Sequence, residues 1–167
     1  NIVIGEAQPI GKEMTDNPTV KKLSFTGSTA VGKILLTQCA ASVKKVSMEL
    51  GGNAPCIVFD DADIDAAVTG AIASKYRNAG QTCVCANRIF VQEGIYDAFA
   101  QKFTEAVAKM KVGNGLEAGV EIGPMINVKG MEKVEQHLAD AIQKGGKVTT
   151  GGKRHTLRDS FFEPTVV

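Results

Sequence analysis

Residues 54–77, APCIVFDDADIDAAVTGAIASKYR, decide the fold class of this chain. The stretch opens on the apolar run 54–59, which predicts a strand that is buried on both of its faces. Acidic residues follow, and then an alanine-rich segment that ends at about Arg77. This order predicts a helix, because carboxylates favour the positive N-terminal end of a helix. A buried strand joined directly to a helix is typical of a parallel α/β fold.

The alternation of strand and helix continues on both sides of this stretch. The stretch 1–19 has several turn residues and no sustained period, so no element is predicted there. The further predicted elements are strands at 22–25, 46–50, 88–92 and 147–150, helices at about 30–41, 95–110 and 128–144, a glycine-rich connection at 112–124, and the start of another strand at 161. We therefore expect an α/β protein with a largely parallel sheet and a boundary near Gly51-Gly52.

The composition is that of a globular protein and argues against several other classes. The 167 residues are 44% hydrophobic and 22% charged, with a formal net charge of +1. Balanced charge and the lack of Trp give no sign of a nucleic-acid or anionic-membrane surface. No apolar run is long enough to span a bilayer. The four cysteines lack the spacing of a zinc site, so we expect no metal and a reduced, cytoplasmic setting.

The turn Gly27-Ser-Thr-Ala-Val-Gly32 is the first candidate for a function. It follows a predicted strand and opens a predicted helix, so its backbone N–H groups are suited to a pyrophosphate. The turn is not the Gly-x-Gly-x-x-Gly fingerprint of dinucleotide sites. On its own residues, an ordinary strand-to-helix connection is the favoured interpretation.

Glu49, Cys83 and Arg77 are the candidates for chemistry with a substrate. Glu49 ends a predicted strand, where a carboxylate can act as a general base, although a solvated glutamate is the commoner case. Cys83 lies in a break between helix and strand, where N–H groups favour a thiolate, and a small packed side chain is the alternative. Arg77 can hold a carboxylate through two hydrogen bonds or can complement the end of a helix.

Three motifs resemble the aldehyde dehydrogenase superfamily in their order and spacing. They are Phe25-Thr-Gly-Ser-Thr-Ala-Val-Gly32, Met48-Glu-Leu-Gly-Gly52 and Gly80-Gln-Thr-Cys-Val-Cys85. The similarity runs over the whole chain and includes Ile122-Gly-Pro124 and Phe161-Phe-Glu-Pro164. Within the superfamily, the stretch 75–85 is most like the succinate-semialdehyde dehydrogenase branch, on the evidence of its Cys-Val-Cys pair and Arg77.

The resemblance implies a division of labour along the chain. It implies that 1–50 is the C-terminal portion of a Rossmann-like dinucleotide-binding domain and that 51–167 is a portion of the catalytic domain. It further implies that Cys83 forms a thioester with the substrate and that Glu49 activates the water that hydrolyses it. The implied cofactor is NAD or NADP, with its pyrophosphate at Gly27 and Ser28 and its nicotinamide near Leu50 and Gly51. Arg77 would pair with the far carboxylate of succinate semialdehyde.

Several alternatives stay open at the level of sequence. Glutarate semialdehyde is the near alternative substrate, and NAD is not distinguished from NADP. A non-catalytic α/β binding module and a cofactor-independent hydrolase with a Cys–Glu pair are the rival classes. The oxyanion asparagine and the Glu-x-Phe-Gly-Pro motif of the family are not matched, so we expect an internal segment of a longer, homo-oligomeric parent that is inactive in isolation. Cys85 is a candidate redox partner of Cys83, with plain packing as the equal alternative.

Overall fold

A computed structural model describes residues 1–157 and 160–167, and the chain divides into two units. The units are Asn1–Gly52 and Asn53–Val167. In the described part of the chain, no helix combines the length and the apolar character that crossing a membrane requires.

The first unit is a strand–helix–strand arrangement preceded by a helix. Its elements are α1 (Ala7–Asp16), β1 (Lys22–Thr26), α2 (Thr29–Ala40) and β2 (Lys45–Glu49). The two strands pair in parallel, with Thr26 opposite Glu49 at their carboxyl ends. The segments that follow both strands therefore begin at the same edge of the sheet.

Helix α1 occupies the stretch for which the sequence predicted no element, and that prediction is wrong. Pro9 lies in the first turn of the helix, where a missing N–H is tolerated because it has no intrahelical acceptor. Thr15 is 2% exposed, and its hydroxyl oxygen lies 3.4 Å from Oε1 of Gln38 in α2. Helix α1 packs against α2, and the periodicity of the sequence does not reveal such a contact.

The second unit also begins with a parallel strand–helix–strand arrangement. Its elements are β3 (Ala54–Val58), α3 (Ile64–Lys75), a short 3-10 segment (Arg77–Gly80), β4 (Ala86–Val91), α4 (Glu93–Ala108) and α5 (Val128–Gln143). β3 and β4 pair in parallel. Asp63 caps α3, because its carboxylate accepts the N–H groups of Asp65 and Ala66 at 2.9 and 3.0 Å. The predicted α/β class with parallel strand pairing is confirmed.

The core of the second unit lies between its sheet and the helices α3 and α4. Phe99 and Phe103 of α4 stack with ring centroids 5.5 Å apart. The buried cluster comprises Val58, Val68, Ala71, Tyr76, Phe99, Phe103, Val107 and Ile122. Burial raises the pKa of Tyr76, whose hydroxyl donates to the carbonyl oxygen of Thr165 at 2.8 Å.

Two further predictions about strands are wrong. β3 is not buried on both faces, because Ile57 is 58% exposed while Val58 is 4% exposed. The predicted strands at 147–150 and from 161 are replaced by isolated antiparallel bridges, one of which joins Thr150 to Val166. An alternating or continuous apolar pattern indicates extended chain, but it does not reveal whether a neighbour covers the second face or pairs along the edge.

Candidate active-site segments of the two units

The turn after β1 places the start of helix α2 at the carboxyl edge of the first sheet. Ser28 is the N-cap residue, and its hydroxyl oxygen accepts the N–H of Val31 at 3.3 Å. Backbone N–H groups in the first turn of a helix have no intrahelical acceptors and lie at the positive end of the helix dipole. This arrangement fits the pyrophosphate of a dinucleotide, which takes such donors.

Glu49 ends β2 directly beside this turn. The N–H of Gly27 donates to the carbonyl oxygen of Glu49 at 3.0 Å, which joins the helix-opening turn to the end of β2. The side chain of Glu49 is exposed. A general base must lie within hydrogen-bond reach of the proton that it removes, and the exposure of Glu49 leaves its carboxylate open to water.

Leu50 and Gly51 continue from Glu49 along the same edge. Leu50 is half-buried, and its side chain lies against the position where Gly32 lacks a Cβ atom. Gly51 is exposed, and a Cβ atom added to it would meet nothing within 4 Å. The space above Gly51 is thus open within its own unit, as a planar ring packing on the backbone would require.

In the second unit, the connection from α3 to β4 contains a left-handed backbone segment. Asn78 and Ala79 have φ values of 51° and 54°, and Gly80 has a φ of 75°. A left-handed conformation costs a residue such as alanine roughly 1–2 kcal/mol, whereas asparagine tolerates it better. Strain of this kind is found where the surrounding structure fixes the backbone, and it clusters at functional sites.

Cys83 lies on a tight turn that follows the left-handed segment. The N–H of Cys85 donates to the carbonyl oxygen of Thr82 at 3.3 Å, so Cys83 and Val84 are the central residues of the turn. Cys83 is exposed and Cys85 is fully buried, and both carry free thiols. The structure therefore gives the two cysteines of the motif different surroundings, one accessible to a reactant and the other packed in the interior.

Arg77 opens the same connection, immediately after the C-cap residue of α3. Its side chain is exposed, and within residues 1–157 and 160–167 its guanidinium forms no hydrogen bond or ion pair. The fork of donors is consequently available to a carboxylate. Its position at the end of α3 is equally that of a cation beside a helix C-terminus, so both interpretations of the sequence persist.

Gln81 is a residue of this connection that sequence reasoning missed. Its Oε1 atom accepts the N–H of Ile126 at 2.8 Å, and its Nε2 atom donates to the carbonyl oxygens of Asn78 and Pro124 at 3.1 and 3.4 Å. The side chain thus joins the loop of Cys83 to a segment more than forty residues later in the chain. Its place between Gly80 and Cys83 in the quoted motif was the available signal.

The predicted site residues therefore form one group in each unit. In the first unit, Gly27, Ser28, Glu49, Leu50 and Gly51 share the carboxyl edge of the β1–β2 pair. In the second unit, Arg77, Cys83 and Cys85 share the connection between α3 and β4. Among the described residues, no group of three or more His, Cys, Asp and Glu side chains is arranged to hold a metal ion.

Comparison with known proteins shows that both groups of residues lie in a chain that matches a single family. The family model of aldehyde dehydrogenases matches residues 1–167. The chain belongs to the aldehyde dehydrogenase family. Membership in this family explains both the three motifs and the fold class of the chain.

Individual members of the aldehyde dehydrogenase family are similar over the full length of the chain. It is 62% identical to the glutarate-semialdehyde dehydrogenase of Pseudomonas aeruginosa strain PAO1 over 167 residues, which are 100% of this chain and 35% of that protein. It is 60% identical to the NADP(+) succinate-semialdehyde dehydrogenase of Escherichia coli strain K12, with the same two coverages. The chain spans about a third of the length of the curated relatives it matches.

A solved member of the aldehyde dehydrogenase family shares the fold. The crystal structure of succinate-semialdehyde dehydrogenase from Burkholderia pseudomallei matches with a TM-score of 0.96 and 64% sequence identity. The match covers 98% of this chain and 34% of that one.

Proposed function

We propose that the whole protein carrying this chain oxidises a small aldehyde with a carboxylate at its far end, using NAD or NADP. Succinate semialdehyde is the leading substrate, and glutarate semialdehyde is the alternative. The observation that carries the proposal is the exposed Cys83 thiol on its turn, in a chain that matches the aldehyde dehydrogenase family throughout. We further propose that 1–50 belongs to the cofactor domain and 51–167 to the catalytic domain.

Cys83 supplies the nucleophile in this proposal. Its thiolate attacks the aldehyde carbon, a C–S bond forms, and the electron pair of the C=O double bond moves to oxygen. The backbone N–H of Cys83 is the donor that the family resemblance assigns to this oxyanion, and such donors act strongly because they are fixed before charge develops. A bound nicotinamide would supply the acceptor for the hydride that leaves the substrate carbon, and a thioester on Cys83 would remain.

Glu49 acts in the second half of the reaction. Its carboxylate takes a proton from water, the resulting hydroxide attacks the thioester carbon, and the C–S bond breaks. The acid is released, and Cys83 leaves as the thiolate that begins the next cycle. The exposure of the Glu49 side chain supports this role, because a general base must reach water.

The first unit contributes the cofactor contacts. The N-terminal turn of α2, with Gly27 and Ser28, would hold the pyrophosphate, and Leu50 and Gly51 would lie by the nicotinamide. The capping geometry of Ser28 and the open space at Gly51 support this assignment. The name of the Escherichia coli relative includes NADP(+), and the family resemblance allows NAD equally.

Arg77 is the residue that would select aldehydes with a carboxylate at their far end. The two curated relatives described above are named for semialdehydes of dicarboxylic acids. Each of these aldehydes carries a carboxylate opposite its reactive carbon, which a guanidinium can hold through two hydrogen bonds. The exposed Arg77 side chain in the loop that carries Cys83 is suited to that contact.

The test compares Cys83→Ala with a matched control, Cys56→Ala, in the full-length protein. Turnover is followed as reduced nicotinamide and as acid formed from succinate semialdehyde. Cys83→Ala is expected to abolish oxidation, since no thioester can form, while Cys56→Ala retains it. Normal turnover by Cys83→Ala overturns the proposal. Nucleotide-independent hydrolysis of an ester, without any oxidation of the aldehyde, would identify a hydrolase, and cofactor binding without turnover by the wild type would identify a binding module.

A further inference from the structure

The left-handed segment before Cys83 depends on contacts that compensate for its strain. Two consecutive non-glycine residues, Asn78 and Ala79, adopt positive φ values, which alanine rarely adopts and asparagine tolerates better. The backbone N–H of Gln81 and its side-chain Nε2 both donate to the carbonyl oxygen of Asn78, at 3.1 Å each. One glutamine therefore closes the left-handed segment with two hydrogen bonds.

The same terminal amide also contacts a distant part of the second unit. Oε1 of Gln81 accepts the N–H of Ile126 at 2.8 Å, and Nε2 also lies 3.4 Å from the carbonyl oxygen of Pro124. Gln81 is followed after one residue by Cys83, whose turn begins at Thr82. A displacement of Gln81 would thus be transmitted directly to the turn that presents the thiol.

We propose that Gln81 is a positioning residue that fixes the Cys83 turn by tying the left-handed segment to Pro124–Ile126. The inference rests on the proposed role of Cys83 as the nucleophile. Gln81 is then the side chain that holds the attacking sulfur in place for an aldehyde. Gln81 itself touches neither substrate nor cofactor in this proposal.

A positioning role and a purely structural role of Gln81 differ in how strongly they affect catalysis relative to the stability of the fold. Gln81, Asn78 and Ile126 are all exposed, and hydrogen bonds at a surface add little to the stability of the whole fold. A small displacement of a reacting group, in contrast, can lower a rate by a factor of about 100. Loss of the Gln81 amide should therefore change catalysis far more than the melting temperature.

The experiment uses Gln81→Met, Gln81→Glu and the matched control Gln101→Met in the full-length protein. Gln101 is an exposed glutamine of α4 whose Nε2 donates to Glu105 at 3.0 Å, within one helix. We expect Gln81→Met to lower kcat by about tenfold to a hundredfold, with a smaller change in KM. Hydrogen–deuterium exchange of a peptide covering 78–86 should accelerate in Gln81→Met and not in Gln101→Met.

Gln81→Glu provides the conservative rescue and keeps the test decisive if Gln81→Met fails to fold. A carboxylate still accepts the N–H of Ile126 but offers no donor to the two carbonyl oxygens, whereas a protonated carboxyl group restores one donor. The ratio of kcat in Gln81→Glu to kcat in wild type should rise as the pH falls from about 8 to about 5. Wild-type kcat and exchange in the Gln81 variants, or a ratio independent of pH, overturn the positioning role. A wild type without turnover overturns the proposed function instead. The exchange measurement still decides whether Gln81 holds the Cys83 turn in place.

Discussion

A Cβ atom built on Gly32 would lie 2.6 Å from Cδ2 of Leu50. Gly32 is buried within helix α2, and Leu50 follows Glu49 at the end of β2. A side chain at position 32 would therefore force the Leu50 side chain to move from its place against α2. Through this contact, the helix that opens with Ser28 packs on the side chain that follows Glu49.

Gly32→Ala tests this packing against an ordinary helix glycine. Alanine favours a helix interior by about 1 kcal/mol over glycine, so Gly70→Ala in α3, where an added Cβ meets nothing within 4 Å, should stabilise the protein by about that amount. Gly32→Ala should instead lower the free energy of unfolding by about 1 kcal/mol, because Leu50 must move. Denaturant titration of both variants measures the difference. Equal stabilisation by both substitutions would show that Leu50 exerts no constraint.

Much of the frame could be predicted from residues with a local physical meaning. Ser28 and Asp63 cap the helices that the sequence placed after them, because short polar side chains accept the first N–H groups of a helix. Each of the two strand pairs is parallel, as alternation of strands and helices predicts. Local sequence signals also predicted the turn at Gly27, the end of β2 at Glu49 and the break at Cys83.

What could not be predicted depends on contacts between distant residues. The left-handed backbone of Asn78 and Ala79 is held partly by Gln81, whose partner Ile126 is far along the chain. Helix α1 packs against α2 through Thr15, a polar residue whose burial no periodicity reveals. The exposure of Ile57 on β3 could not be predicted either, because the run 54–59 is apolar throughout.

Glu49→Gln should separate the two halves of the proposed reaction. The hydride step does not need the Glu49 carboxylate, so one equivalent of reduced cofactor should form in a burst. Steady-state turnover should then fall by about 10²–10⁴-fold, the usual contribution of a general base. Rapid-mixing absorbance measurements resolve the burst, with the exposed Glu6→Gln as the control. A first turnover slowed as much as the later ones would contradict the role in hydrolysis.

Arg77→Ala should distinguish a substrate contact from a helix-end charge. We expect KM for succinate semialdehyde to rise by about tenfold to a hundredfold, as the loss of a charge-assisted pair would produce. An uncharged aldehyde of similar length should be affected much less. Arg77→Lys, which keeps the charge but loses the planar fork, should give an intermediate KM. Equal losses on both aldehydes would favour the structural interpretation.

A reversible oxidative switch formed by Cys83 and Cys85 is a hypothesis that stands on equal terms with plain packing of Cys85. Cys83 is exposed and Cys85 is fully buried, and the hydrogen bond from Cys85 to Thr82 bends the chain between them. A bent chain brings the two Cα atoms closer than the roughly 6.6 Å of extended chain, which is near the upper limit for a disulfide. Packing of Cys85 in the interior is the competing explanation for its presence.

Peroxide treatment of the full-length protein decides between these explanations. The Cys83 thiolate would be oxidised to a sulfenic acid as peroxide is reduced to hydroxide, and the Cys85 thiol would then displace water from the sulfenic acid to form the disulfide. We expect activity to be lost, a peptide containing both cysteines to be lighter by two hydrogens, and dithiothreitol to restore both. In Cys85→Ala no such peptide can form, and continued peroxide should drive Cys83 to the sulfinic acid, which dithiothreitol does not reverse. Inactivation and recovery identical to wild type in Cys85→Ala would show that Cys85 only packs.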